Sequence, residues 1–353
     1  MQRMRNVETD GAGVIALDAD RGDAGARLDH VICRHLAYTH VSRTRVQTWI
    51  GEGRVMVNGA AVRRPAARVA SGDTVVLSIA PRVRRAMAAE ARAGIIDVLF
   101  EDDHLLVVNK PPGIVVHPTV GNRTGTMMNA LLWHAREWRH GQKPALVGRL
   151  DKDTSGALLV SKCVDVHAAL QRATASGAGD KSYLALVYGH VKAARGTIDL
   201  PLAPDPSDRR RTVAGARGAL PSVTRFERIG RAAAAPVGLT LLRCSLGSGR
   251  RHQIRAHLMA SGWPIVGDPV YGGPRWRDVA DATTRDILRA FPRQALHALR
   301  LAFTHPVTGE RVDIVAPPPK DLAAMLDALM DFRDYRDGQA DATIRTESTR
   351  RCC

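Results

Sequence analysis

The sequence predicts an α+β protein with two folded domains. Its 353 residues are enough for two domains, and 45% of them are hydrophobic, the usual share for a chain that forms a globular core. Within the first eighty residues, a helical pattern is followed by short alternating strands. From residue 95 onward, apolar strand patterns predominate and helical segments interrupt them. We therefore expect a small α+β domain followed by a larger α+β domain.

Changes in composition predict where these domains begin and end. Residues 1–22 lack strong periodicity and are predicted to form a disordered tail. Residues 23–80 are predicted to form the small domain, and the Ala- and Arg-rich residues 81–94 are typical of a linker. We expect the large domain over residues 95–318, and a C-terminal tail containing a short helix, near residue 322, over residues 319–353.

The small domain is predicted to contain a helix and a hairpin. Ser42 is a suitable N-cap, and the apolar residues that follow share one helical face: Val46, Trp49 and Ile50. Val55 and Val57 then alternate as a strand. Asn58-Gly59 is typical of a two-residue hairpin turn, from which Val62 begins the return. Residues 72–80, GDTVVLSIA, are predicted to form another strand.

The chain is strongly basic. It contains 51 lysines and arginines against 35 acidic residues, which gives a formal net charge of +16 at pH 7. Such an excess predicts attraction to polyanions, with nucleic acid as the first candidate. In the small domain, three arginines that point away from the apolar face are expected to contact RNA: Arg43, Arg45 and Arg54.

The cysteines and termini indicate a cytoplasmic protein. The five cysteines show neither metal-ligand spacing nor a disulfide framework: Cys33, Cys163, Cys244, Cys352 and Cys353. The N-terminal segment MQRMRNVETDGAG lacks the apolar core of a signal peptide, and no run of eighteen apolar residues occurs. We expect no metal, no membrane partner and, because no coiled-coil pattern is present, a monomer.

Three polar stretches of the large domain are candidates for chemistry. Residues 148–162, GRLDKDTSGALLVSK, place Asp151 directly before an apolar strand, where charge is costly unless it is paired or used. Taken alone, the stretch also fits a surface ion pair followed by a capped turn. In KSYLALVYGHV, residues 181–191, Tyr183 lies on a strand that is apolar on both faces, which is typical of a core tyrosine.

The third stretch predicts a helix over residues 253–259. Arg251 and Arg255 are one turn apart there, and Ile254 and Leu258 form the apolar face. This arginine spacing indicates a solvated or phosphate-facing stripe. The histidines of this stretch do not align with acidic residues at zinc-ligand spacing.

Taken in chain order, the motifs of the large domain resemble the RluA-type family of pseudouridine synthases. They are Lys110-Pro111-Pro112-Gly113, Arg149-Leu150-Asp151, Thr154-Ser155-Gly156, Lys181-Ser182-Tyr183, His252-Gln253-Ile254-Arg255, Gly267-Asp268 with Tyr271-Gly272, and Leu296-His297-Ala298. The family usually carries His before the Arg-Leu-Asp triplet, where this chain has Gly148. The small domain resembles the αL-type RNA-binding domain first seen in a ribosomal small-subunit protein.

This resemblance implies a mixed, mainly antiparallel sheet with flanking helices, and isomerisation of uridine in RNA without a cofactor. Asp151 is the implied catalytic carboxylate, which either attacks the anomeric carbon or removes a ribose proton. Arg255 is its implied ion-pair partner, and Tyr183 is expected to lie against the flipped uracil. Further RNA contacts are expected from Arg149, Arg250 and Arg251.

The resemblance is nearest to enzymes that act on large-subunit ribosomal RNA, above all on the helix 69 loop. We expect this RNA, or its precursor, as the partner. Three alternatives stay open from sequence. In the first, the chain is a non-catalytic RNA-binding ribosome-assembly factor. In the second, it is a synthase that acts on other 23S positions or on tRNA. The third is a metal-dependent nuclease, for which Asp151 and Asp153 lack a third carboxylate.

Overall fold

The computed structural model describes twelve stretches of the chain, namely residues 5–9, 12–36, 41, 43–79, 87–92, 94–119, 121–139, 141–175, 180–216, 218–232, 236–247 and 249–330. The predicted N-cap Ser42, half of the predicted linker and the greater part of the predicted C-terminal tail lie outside these ranges. The chain divides into two compact units, Met1–Ala86 and Met87–Cys353.

In its described ranges, the N-terminal unit consists of a five-stranded antiparallel sheet and two helices. Its elements are β1 (Arg5–Thr9), β2 (Ala12–Asp18), α1 (Leu28–His35), α2 (Arg43–Gly51), β3 (Val55–Val57), β4 (Ala60–Ala61) and β5 (Thr74–Ile79). The strand order is β1-β2-β5-β3-β4. Val46, Trp49 and Ile50 are buried in one core with α1, so the predicted apolar face of α2 is confirmed. Asn58 and Gly59 both have positive φ, as the predicted hairpin turn requires.

The prediction of a disordered tail over residues 1–22 is wrong for Arg5–Thr9 and Ala12–Asp18. Strand β2 pairs with β5 from Gly13 opposite Ile79 to Asp18 opposite Thr74, and β1 pairs with β2. Leu17 is buried in the core of the unit. The physical reason is that β5 offers an open sheet edge, and its main-chain groups are satisfied by a strand from outside the local sequence.

The second unit is built on a ten-stranded sheet. Its strands are β6 (Val98–Glu101), β7 (Leu105–Lys110), β8 (Ala145–Leu146), β9 (Ser155–Ser161), β10 (Asp180–Tyr188), β11 (Arg195–Asp199), β14 (Val223–Ala232), β15 (Leu239–Leu246), β16 (Leu296–Thr304) and β17 (Arg311–Val315). The order is β11-β14-β15-β10-β16-β9-β7-β6, with β17 beside β16 and β8 beside β9. Strands β12 (Leu202–Pro204) and β13 (Thr212–Ala214) form a separate pair.

Among the described strands, β9 runs parallel to β16 and the other paired strands of this unit are antiparallel. The expected mixed, mainly antiparallel sheet is therefore confirmed. Strands β10 and β16 lie at its centre and are largely buried. In this order the start of β9 lies one strand away from β10, across β16.

Among the described residues of the second unit, five α-helices accompany the sheet: α3 (Met127–His134), α4 (Val164–Ala175), α5 (Gln253–Ala260), α6 (Ala282–Ala290) and α7 (Lys320–Leu329). Helix α5 has the bounds predicted from sequence to within one residue. The short helix expected near residue 322 is α7, whose Leu322 and Leu326 are buried in the main core of the unit.

Candidate functional site

The loop that precedes β9 carries Asp151, and buried cations hold its main chain in place. The ammonium of Lys110 donates to the carbonyl oxygen of Lys152 at 2.9 Å, and to two further carbonyls at 2.8 and 2.9 Å. Arg293 Nη1 donates to the carbonyl oxygen of Asp153 at 3.1 Å. Burial lowers the pKa of Lys110 to about 7. These contacts fix the loop in one conformation, which sets the direction of the Asp151 side chain.

Gly156 explains the Thr-Ser-Gly turn of the motif. Its φ is +111°, and an added Cβ would lie 2.2 Å from the carbonyl oxygen of Ala298 on β16. Only glycine tolerates both this backbone conformation and such close approach of two main chains. The adjacent Ser155 hydroxyl lies 2.9 Å from His297 Nδ1. The glycine therefore lets the polar loop enter the buried sheet directly.

Arg255 binds two carboxylates at once. Its Nη1 donates to Asp151 Oδ2 at 2.8 Å, and its Nε and Nη2 donate to Asp268 Oδ2 and Oδ1 at 2.7 and 2.8 Å. Burial alone would lower the pKa of Arg255, but the hydrogen bonds and charge of Asp268, together with those of Asp151, raise it above its usual value. The guanidinium is therefore always charged. The structure brings together Asp151 and Arg255, as expected from sequence.

Of these two carboxylates, Asp151 faces the open cleft. Its side chain is 18% exposed, whereas that of Asp268 is 0% exposed. Arg255 contacts Oδ2 of Asp151, and His252 Nε2 lies 3.8 Å from the same oxygen. Within the described part of the chain, no group donates a hydrogen bond to Asp151 Oδ1. That oxygen is thus available to a ligand in the cleft.

Tyr183 enters the same cleft from β10. The pairing of β10 with β16 shifts register beside Tyr183 because the extra residue, Leu299, lies on β16, whereas β10 itself pairs regularly with β15. Burial, with the negative charge of Asp151, raises the pKa of Tyr183 to about 12. The phenol therefore stays protonated at neutral pH and presents a flat apolar face with a polar tip.

The cleft has a volume of about 800 Å³, enough for a nucleoside. Among the described residues that line it, Asp151 is the only acidic one, and the basic ones are His117, Arg149, Lys181, Arg250, Arg251, His252 and Arg255. A concave surface of this charge attracts phosphates. The cleft therefore suits a polyanionic ligand that inserts one planar group next to the carboxylate of Asp151.

The arginines predicted to contact RNA at the cleft differ in their surroundings. Arg149 and Arg250 are exposed at its edge. Arg251 instead donates to the carbonyl oxygens of Arg209 and Arg211, at 3.0 and 2.7 Å. Its guanidinium therefore supports the neighbouring loop as well as lining the cleft.

The three arginines predicted to contact RNA in the N-terminal unit have partners inside that unit. Arg43 pairs with the buried Asp29 at 3.0 Å, and Arg54 pairs with Glu52. Arg45 lies 5.3 Å above the ring of Trp49. A phosphate bound to them would share the guanidinium with these partners.

The sequence alone assigns no role to Asp268, Lys110 or Lys181, although each belongs to one of the family motifs. Their residue type could have indicated a role, since a charged residue in an apolar stretch needs a partner when it is buried. The partner of Asp268 is Arg255, and the partners of Lys110 are two nearby main-chain carbonyls and the carbonyl of Lys152, which is distant in sequence.

One group of described side chains has the spacing of metal ligands: Asp20, Asp23 and His35 in the N-terminal unit. All three already have protein partners, since Asp23 contacts both Arg34 and His35, and Asp20 Oδ1 lies 3.8 Å from Arg34. Separately, within the described residues no helix is both long and apolar enough to cross a bilayer.

Two family models match the chain. RNA pseudouridylate synthase matches residues 104–260, and the S4 domain matches residues 27–75. Two similar proteins are named Ribosomal large subunit pseudouridine synthase D. The one from Nitrosomonas europaea is 39% identical, covering 87% of this chain and 85% of the relative, and the one from Pseudomonas aeruginosa is 37% identical, covering 88% and 94%. Uncharacterized RNA pseudouridine synthase YlyB of Bacillus subtilis is 38% identical, covering 82% and 89%.

Solved structures share the fold. Human RNA Pseudouridylate Synthase Domain Containing 4 is 23% identical with a TM-score of 0.52, covering 65% of this chain and 92% of that one. Domain Containing 1 is 24% identical with a TM-score of 0.52, covering 72% and 98%. With the identity of the relatives over most of their length, these findings show that the chain belongs to the RNA pseudouridine synthase family and carries an N-terminal S4 domain.

Proposed function

We propose that this enzyme isomerises uridines of large-subunit ribosomal RNA, with the helix 69 loop as its target, and that Asp151 is its catalytic carboxylate. The observation that carries the catalytic assignment is the 2.8 Å ion pair between Asp151 and Arg255 at the base of a basic cleft. Relatives that are 37–39% identical and named for the large ribosomal subunit support the substrate. The S4 domain supports binding to structured RNA.

In this proposal, the target uridine leaves its stack and enters the cleft. The cost of unstacking is a few kcal/mol, and stacking of the uracil on Tyr183 offsets part of it. Arg149, exposed at the edge of the cleft, fills the space that the base vacates. The backbone phosphates then contact the basic lining.

The reaction conserves all atoms and needs no redox step. The bond between the ribose anomeric carbon and N1 of uracil breaks, the detached base turns, and a bond from the same carbon to C5 forms. The C5 proton leaves to solvent and N1 gains a proton. Asp151 Oδ1 either attacks the anomeric carbon or removes a ribose proton, and Arg255 holds the carboxylate in orientation through Oδ2.

The proposal includes a monomer that acts in the cytoplasm. Cys33, Cys163 and Cys244, the cysteines within the described ranges, are free thiols, as is usual in a reducing compartment. A single chain already supplies Asp151, Tyr183 and Arg255 to one cleft.

Carbodiimide-adduct mapping of total RNA tests the target. RNA from a strain that lacks the gene should lose the pseudouridine signals of the helix 69 loop and keep all others. The wild-type gene should restore these signals and Asp151→Asn should not. If signals are lost in tRNA or at other 23S positions and those of helix 69 are unchanged, the proposed target is wrong. The proposed pseudouridine synthase activity would still hold.

A further inference from the structure

Three lysines of the second unit have side chains largely withdrawn from solvent, and two of them are fully partnered. Lys110 donates to three carbonyl oxygens at 2.8–2.9 Å. Lys162 Nζ lies 2.8 Å from Glu101 and 4.6 Å above the ring of Trp138. Lys181 is different, because among the described residues no group accepts a hydrogen bond from its ammonium and no carboxylate pairs with it.

Lys181 stands at the reaction cleft. It lies on β10 two residues before Tyr183, on the same face of the strand, and lines the cleft that contains Asp151. It also lines, with Arg149, a small adjoining cavity of about 30 Å³. An added Cβ at Gly148 would have one neighbour within 4 Å, the Lys181 ammonium at 3.7 Å. The missing side chain at Gly148 therefore leaves open space beside this cation.

An ammonium in this position lacks the anion that would offset its desolvation. Burial lowers the pKa of Lys181, which records the cost of keeping it charged there. The nearest catalytic carboxylate, Asp151, is already held by Arg255. RNA brings one phosphodiester per nucleotide into the cleft, and a lysine ammonium suits a phosphate oxygen as a compact point charge.

We propose that Lys181 binds a phosphodiester oxygen of the nucleotide delivered to Asp151, in the space that Gly148 leaves open. This inference rests on the proposed function, since it requires RNA in the cleft. Lys181 would be a further RNA-binding residue, one that contacts the RNA backbone and does not distinguish between bases. Lys181 thereby helps to position the ribose against Asp151 Oδ1.

The first test compares Lys181→Met and Lys181→Arg with Lys192→Met, a matched change at an exposed lysine. Binding to an unmodified 23S transcript is measured over a range of salt concentrations, with single-turnover rates on the same RNA. Lys181→Met should bind about tenfold more weakly, and its slope of log K against log salt should shrink by about 0.7, the loss of one phosphate contact on single-stranded RNA. Lys181→Arg should retain the slope, and Lys192→Met should match the wild type. An unchanged slope for Lys181→Met would overturn the proposal.

The second test uses the wild-type protein and inorganic phosphate. It therefore depends neither on the identity of the RNA target nor on the folding of a variant. The chain has seven lysines, so its ¹³Cε-lysine NMR spectrum is simple to assign. In the wild type, burial should lower the pKa of Lys181 below the ordinary lysine value, and its signal should move on addition of inorganic phosphate. If phosphate does not change the chemical shift of the Lys181 signal, the proposed phosphate site is wrong. If the wild type fails to modify the transcript, the target is wrong, and the phosphate titration still decides the role of Lys181.

Discussion

Asp268 holds Arg255 through two hydrogen bonds, from Nε at 2.7 Å and from Nη2 at 2.8 Å. It also accepts the main-chain N–H groups of Val270 and Tyr271 through Oδ1, at 2.9 and 3.0 Å. Asp268 is therefore locked in place before it orients the guanidinium. Arg255 then donates an N–H of Nη1, the nitrogen that Asp268 does not contact, to Asp151. The direction of the catalytic carboxylate thus depends on a second, fully buried carboxylate.

Asp268→Asn tests this dependence. The amide keeps one acceptor oxygen and loses the charge, so the buried guanidinium loses half of its counter-charge. We expect unfolding free energy to fall by about 3 kcal/mol and kcat to fall at least tenfold, with the KM for RNA within a few-fold. Urea unfolding measures the stability, and steady-state rates over a range of RNA concentrations measure kcat and KM. Asp286→Asn, at an exposed pair with Arg289, is the control and should change stability by less than about 0.5 kcal/mol. A normal rate in Asp268→Asn would show that Arg255 needs no second anchor.

Gly156→Ala tests the close approach of β9 to β16. The new methyl group meets the carbonyl oxygen and the nitrogen of Ala298, which belong to a buried main chain and cannot move cheaply. Gly113→Ala separates this clash from backbone strain, because Gly113 has φ +82° and nothing within 4 Å of an added Cβ. We expect Gly113→Ala to cost about 1 kcal/mol and Gly156→Ala about 3 kcal/mol or more, with loss of activity. Equal costs in urea unfolding would contradict the clash.

His297 predicts a pH dependence of stability. Its Nε2 donates to the carbonyl oxygen of Ala316 and its Nδ1 lies 2.9 Å from the Ser155 hydroxyl, so the neutral ring is already satisfied. Burial lowers the pKa of His297 to about 4 in the folded state. The unfolded chain takes up this proton near pH 6.5 and the folded chain resists it. Unfolding free energy should therefore fall as pH drops from 6.5 to 4, by up to about 1.4 kcal/mol per pH unit from this group.

Chemical denaturation across this pH window compares the wild type with His297→Gln, which cannot be protonated. The variant should show a shallower pH dependence between 6.5 and 4. His190→Gln, at an exposed histidine, is the control and should retain the wild-type slope. Parallel curves for the wild type and His297→Gln would show that His297 takes its proton at the same pH in both states.

Local sequence patterns predict those parts of the fold that depend on residues close together in sequence. The buried face of α2 and the Asn58-Gly59 turn follow from helical spacing and from tolerance of positive φ, and both were predicted. The strand Ala12–Asp18 was missed, because its partner β5 lies some sixty residues away in sequence. Propensity cannot anticipate such long-range pairing.

The site shows the same division. Asp151 and Arg255 are 104 residues apart, and no periodicity links them, so their pairing was expected from family resemblance alone. The second carboxylate, Asp268, and the loop anchor, Lys110, could not be given roles from sequence. Their contacts depend on buried partners that the folded chain alone brings within 3 Å.

Release of tritium from RNA labelled at C5 of uridine, measured for Asp151→Asn, tests the central claim most directly. The account predicts no release above background, with RNA binding within a few-fold of the wild type, because the amide cannot act as a nucleophile or base at the anomeric centre. Substantial tritium release from this variant would contradict it, whatever the distance between that side chain and the guanidinium.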